Sequence, residues 1–103
     1  MANENQAEPL GKVATNLLFE NDRVKIWEML LDPGAGSDLH EHTLDYCMCI
    51  VEGSSIDADP PDADSFRIPV KPGDVFFVPS GGVERAVNRS GERFREILVE
   101  IKD

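Results

Sequence analysis

Short apolar runs, cut at near-regular intervals by turns rich in glycine and proline, leave this chain few folds to choose from. The run RVKIWEMLL (23–31) stops at Asp32-Pro33-Gly34, and the run 44–52 stops at Gly53. A run over 54–58 leads into the loop DADPPDAD (57–64). The runs 65–70, 75–79 and 83–88 end at Lys71-Pro72-Gly73-Asp74, Ser80-Gly81-Gly82 and Arg89-Ser90-Gly91-Glu92, and FREILVEI (94–101) closes the chain. β-Branched and aromatic residues dominate these runs, which suits a pleated, half-buried surface. No stretch repeats its apolar residues at the helical period. Many short strands between tight turns predict an all-β domain, a two-sheet sandwich or barrel. At 103 residues the chain has room for one such domain. We place it at 13–103, after a polar, aperiodic tail over 1–12, with residues 13–20 as an extended arm.

Alternation along 23–31 puts Trp27, Met29 and Leu31 on one face and Val24, Ile26 and Leu30 on the other. A strand apolar on both faces suits a barrel whose outside meets something else, such as a second subunit. Phe76, Phe77 and Val78 read as core. The closely spaced Asp57, Asp59, Asp62 and Asp64 lack the central glycine and closing glutamate of a calcium loop, so 57–64 reads as a solvated hairpin tip.

His40 and His42 are the only two histidines, and they stand two apart. On a strand, residues at that spacing point to the same side, so both imidazoles enter one space and supply half of a typical metal site.

Two stretches around this pair resemble the paired motifs of the cupin family. In GSDLHEHTLDYCMCIVEG (36–53), Gly36, His40, His42 and Gly53 match the first motif. In GDVFFVPSGGVERAVN (73–88), Gly73, Pro79, Gly81 and Asn88 match the second without gaps. The resemblance runs from about Leu17 onward. It implies a cupin-type double-stranded β-helix, a jelly-roll β-barrel, and a homodimer paired through an outer sheet face. The wording ENDRVKIWEMLLDPG and HEHTLDY weakly resembles small bacterial cupins linked to β-alanine degradation.

The usual cupin ligands are three histidines and a glutamate, and this chain departs from that set. Counting from Gly53, the glutamate position falls on Tyr46. Counting from Pro79, the third histidine falls on Glu84. The implied metal set is His40, His42 and Glu84, suited to Fe, Mn, Ni or Zn. Two features favour the neighbouring residue instead. GVERAV is similar to a common GVPHAV wording that sets Arg85 on the histidine, and Val83 and Val87 share a face with Arg85. An inward Arg85 would grip an anion through two parallel bonds. Tyr46, Arg85 and Trp27 are the candidates for a substrate pocket.

Two functions are carried forward. One is a metal-dependent enzyme, of dioxygenase or isomerase type, acting on a small anionic metabolite. The other is a non-catalytic or accessory cupin that binds a small molecule at a degenerate metal site.

Twenty acidic against ten basic residues give a net charge of −10, which disfavours nucleic acid and anionic membrane as partners. Such a charge mainly keeps a protein soluble. Neither a membrane-length apolar run nor an export leader is evident, so a cytoplasmic protein is expected. Cys47 and Cys49 lie two apart on one strand, too poorly placed for a disulfide with each other. They are expected to be free, buried and inert, as in a reducing compartment.

Overall fold

The computed structural model describes residues 9–102 and contains strands β1 (Asn16–Glu20), β2 (Val24–Leu31), β3 (His40–Glu41), β4 (Tyr46–Glu52), β5 (Ser55–Asp59), β6 (Phe66–Pro69), β7 (Val75–Val78), β8 (Val83–Val87) and β9 (Phe94–Ile101). Among the described residues there is no helix, and so none long and apolar enough to cross a membrane. Every strand pair is antiparallel. One sheet has five strands in the order β1-β2-β9-β4-β7, and the other has four in the order β3-β8-β5-β6. Together they make the all-β barrel expected from the turn pattern, with the jelly-roll form that the cupin resemblance implies.

The core lies between the sheets. Trp27, Met29 and Leu31 of β2, Tyr46 and Ile50 of β4, and Phe94 and Leu98 of β9 bury their side chains there, with Ile56 of β5 facing them. Phe94 and Leu98 are almost wholly buried, so truncating Phe94 would cost about 3–5 kcal/mol. Gly53, which matches the end of the first motif, has φ of 126° where the chain leaves β4. A Cβ there would come 3.0 Å from the Phe94 ring, so both conformation and space call for glycine.

Asn88 explains the end of the second motif. Its Nδ2 donates to the carbonyls of Leu31 (3.0 Å) and Glu92 (2.7 Å), and its Oδ1 accepts from the Ser90 amide and hydroxyl. Its backbone carbonyl accepts from the Gly34 amide, and its amide donates to the Ala35 carbonyl. One fully buried side chain therefore ties the turn after β2 to the turn between β8 and β9.

Several expectations are corrected. The run 75–79 is not a buried strand, because β7 is the edge of its sheet and nothing covers its outer face among the described residues. Val75 is 65% exposed and Phe77 61%. Asp57 and Asp59 do not belong to a solvated tip. They lie in β5 and pair with Arg67 and Arg89, with Arg89 bridging both carboxylates. Cys47 and Cys49 are free but only half-buried, because they share that outer face with Val75 and Phe77, their partners across the β4–β7 ladder. Of the tail expected over 1–12, residues 1–8 lie outside the described residues. The Gly11 amide donates to the Leu39 carbonyl, and the Lys12 amide donates to Asp38.

Candidate metal centre

Strand pairing brings the candidate ligands together. β3 runs against β8 with His40 opposite Glu84 and Glu41 opposite Val83. Residues directly opposite in a ladder project to the same face, so Glu84 follows His40 into the barrel and its neighbour Arg85 cannot. Two backbone bonds continue the pairing past β3, from the His42 amide to the Gly82 carbonyl and from the Gly81 amide to the His42 carbonyl. His42 is thereby held on the side of His40. Both imidazoles are buried, and Glu41 between them is exposed.

The donor atoms of His40, His42 and Glu84 all lie within 4.8 Å of one another. His40 Nε2 is 3.1 Å from His42 Nε2, and His42 Nε2 is 3.9 Å from Glu84 Oε2. His40 Nδ1 lies 2.8 Å from the Asp38 carbonyl oxygen, which can only accept, so Nδ1 carries the hydrogen and Nε2 presents a lone pair. The His42 ring stacks on Tyr46 with centroids 4.1 Å apart and planes at 20°. Its Nδ1 is buried without a hydrogen-bond partner among the described residues.

Burial sets the protonation states. It pulls the His42 pKa down to about 4, helped by the nearby charge of His40, and it lowers that of His40 as well. Both rings are therefore neutral near pH 7, the state in which imidazole binds a metal. Burial raises Glu84 above the usual carboxylate range and raises the Tyr46 phenol, to which the Glu84 charge adds. A pair of imidazole nitrogens and a carboxylate oxygen converging this closely fit a divalent transition ion. His40 also has the carbonyl support typical of a ligating histidine, and His42 lacks it.

These residues open onto a cavity of about 210 Å³ between the sheets. Tyr46, Asp57 and Glu96 also line it, with an apolar wall that includes Met29, Met48, Ile56, Ile68 and Leu98. Neither lysine nor arginine lines it among the described residues. Two of the pocket candidates are placed elsewhere. Trp27 is buried in the core, where its Nε1 donates to Glu100 Oε1 at 2.7 Å, and Lys25 sits over its ring. Arg85 shares a face of β8 with Val83 and Val87, and its Nε donates to the Ser37 carbonyl. Of the three, only Tyr46 lines the cavity.

Two inward carboxyl groups escaped the sequence reading. β9 turns Phe94, Glu96, Leu98 and Glu100 inward, and all four are buried. In FREILVEI both parities carry apolar residues, Ile97, Val99 and Ile101 on one and Phe94 and Leu98 on the other, so alternation does not choose the inward face. The one available signal was that both glutamates share a parity with Phe94 and Leu98.

No protein-family model and no curated protein matches the chain. Solved structures do. A cupin domain protein from Bordetella pertussis Tohama I superposes with a TM-score of 0.76 at 24% identity, over 90% of this chain and 100% of that one. The chain has the cupin fold. An RmlC-like cupin family protein with a double-stranded β-helix fold, from Methanocaldococcus jannaschii, superposes with a TM-score of 0.67 at 15% identity, covering 96% of this chain and 92% of that one. The polyketide cyclase RemF from Streptomyces resistomycificus gives 0.61 at 24% identity, but this cupin barrel spans only 57% of RemF while 81% of the present chain is covered. The cupin fold hosts many unrelated activities, so it leaves the reaction open.

Proposed function

We propose that the cavity is a metal-centred small-molecule site, with His40, His42 and Glu84 holding one divalent transition ion, Fe, Mn, Ni or Zn. The convergence of their donor atoms within 4.8 Å on a buried cavity wall carries this reading. When bound, such an ion polarises an oxygen of the ligand and leaves coordination positions open for it. The Asp38 carbonyl keeps the His40 lone pair aimed into the cluster, stacking on Tyr46 fixes the His42 ring, and the apolar wall excludes water. We read the chain as a metal-dependent enzyme of isomerase or dioxygenase type. RemF, an enzyme on the same fold, is consistent with this. The expected anionic substrate would be met by the ion alone, since among the described residues no cationic side chain lines the cavity wall.

A second reading, ligand binding without turnover, is favoured by one observation: His42 Nδ1 has no supporting acceptor, a weak point in a catalytic metal site. We also expect two copies of the chain to pair through the outer face that exposes Val75 and Phe77. The two free cysteines keep the cytoplasm as the expected compartment. Elemental analysis tests the metal reading. Purified protein should carry about one transition ion per chain, and the His40→Ala, His42→Ala double variant should carry none. Metal-free wild type, after growth with adequate metal, would overturn it.

A further inference from the structure

β9 leaves one of its inward carboxyl groups without a hydrogen-bond partner among the described residues. Of the two glutamates that β9 turns inward, Glu100 accepts the Trp27 indole N–H. Glu96 is 4% exposed, lies beside Met29 and Ile50 in the sheet, and borders the cavity. No hydrogen bond or ion pair reaches it from any described residue. It is also not among the three groups that converge within 4.8 Å. Unlike the enclosed His42 Nδ1, its oxygens open onto the cavity, where an aliphatic residue would line the wall without a polar group. Facing a cavity, such a group is matched to something that enters it.

We infer that Glu96 contacts the ligand, its carboxyl group donating a hydrogen bond to an acceptor oxygen of a neutral, largely apolar small molecule held beside His40, His42 and Glu84. This rests on the reading of the cavity as a ligand site. Without a bound ion, burial, reinforced by the charge of Glu84, pushes the Glu96 pKa up to about 8, so near neutrality the group holds its proton. The Asp57 carboxylate, also at the cavity wall, is already bound by Arg67 and Arg89. With a mainly aliphatic and thioether wall, no lysine or arginine in it among the described residues, and the Glu84 carboxylate already facing any bound ion, the cavity favours a ketone, ester or hydroxyl compound over a carboxylate or an amine. Its volume of about 210 Å³ restricts the ligand to small molecules.

The test uses zinc-loaded full-length protein with ¹³C-labelled methionine methyls, and follows Met29 and Met48 while three probes of one shape are titrated. Cyclohexanone, cyclohexanecarboxylate and cyclohexylammonium differ mainly in their polar group. The ketone should bind most tightly. Glu96→Leu should weaken it roughly five- to tenfold, the loss of one hydrogen bond, while Glu96→Gln, whose amide still donates, should bind nearly as wild type. Glu96→Leu should melt no lower than wild type, because nothing in the protein depends on the carboxyl group; a lower melting point would assign it a structural role and overturn the inference. Equal ketone binding by Glu96→Leu would overturn it as well. So would a preference for cyclohexylammonium, which would mark an ionised Glu96, or for cyclohexanecarboxylate. Zinc uptake with no probe bound would sink this inference and leave the metal reading standing, whereas failure to take up zinc would remove both.

Discussion

His40 Nε2 lies 3.1 Å from His42 Nε2. Because the Asp38 carbonyl fixes the hydrogen of His40 on Nδ1, His42 must donate from Nε2 for this contact to be a hydrogen bond. Metal binding requires the other His42 tautomer, with its hydrogen on the unpartnered Nδ1. Long-range ¹⁵N–¹H spectra of chelator-treated protein at neutral pH should therefore show His40 as the Nδ1–H form and His42 as the Nε2–H form. Added zinc should switch His42 alone. A His42 already in the Nδ1–H form before zinc is added would contradict this.

Glu96 gives stability a pH dependence opposite to that of most carboxylates. Its pKa rises from 4.5 to about 8 on folding, mainly through burial. A raised carboxyl pKa means that the folded state holds the proton more tightly. Stability is then fully present below pH 4.5 and is lost as pH rises through about 8. Urea denaturation of wild type and Glu96→Gln across this range should show wild type losing ground to the variant as pH rises. Parallel curves would show that Glu96 is not buried as described.

Asn88→Ala should destabilise the barrel by about 2–4 kcal/mol, because four hydrogen bonds go and the buried Leu31 carbonyl loses its Asn88 donor. For a domain of this size that lowers the melting temperature by roughly 10 °C or more. Thermal denaturation followed by circular dichroism measures it. A loss near the size expected for a surface substitution would contradict the role assigned to this side chain.

The outer face of the five-stranded sheet should bury Phe77 and Val75 between two copies of the chain. Sedimentation velocity should show a dimer for wild type and a monomer for Phe77→Glu with an unchanged β-sheet spectrum. Monomeric wild type, or a variant that still pairs, would leave that face without the proposed partner.

The turns made the fold legible. Every strand expected from apolar runs and Gly/Pro breaks is present, with bounds shifted by one to three residues, except that β9 coincides with its run and β3 is very short. Which face of a strand looks inward was harder to read where both parities carry apolar side chains. In β8, Val83 and Val87 favoured Arg85 as the inward residue, yet pairing with β3 sets Glu84 opposite His40. In β9, Ile97, Val99 and Ile101 compete with Phe94 and Leu98, so alternation leaves the face of Glu96 and Glu100 unassigned. Both ambiguities have one cause. Alternation reads burial, and a strand that lines a polar cavity while its back is apolar inverts the pattern. Tyr46 and the histidine pair were legible because motif spacing, rather than hydrophobicity, located them.

Titration of metal-depleted full-length protein with cobalt(II), followed by visible absorption, tests the central claim most directly. The wild type should develop a saturable band at about one ion per chain, and His40→Ala with His42→Ala should abolish it. Glu84→Ala should weaken binding by about tenfold or more, while Arg85→Ala should leave it unchanged. A wild type without a saturable band, or a double variant that binds cobalt as well as wild type, would contradict the account.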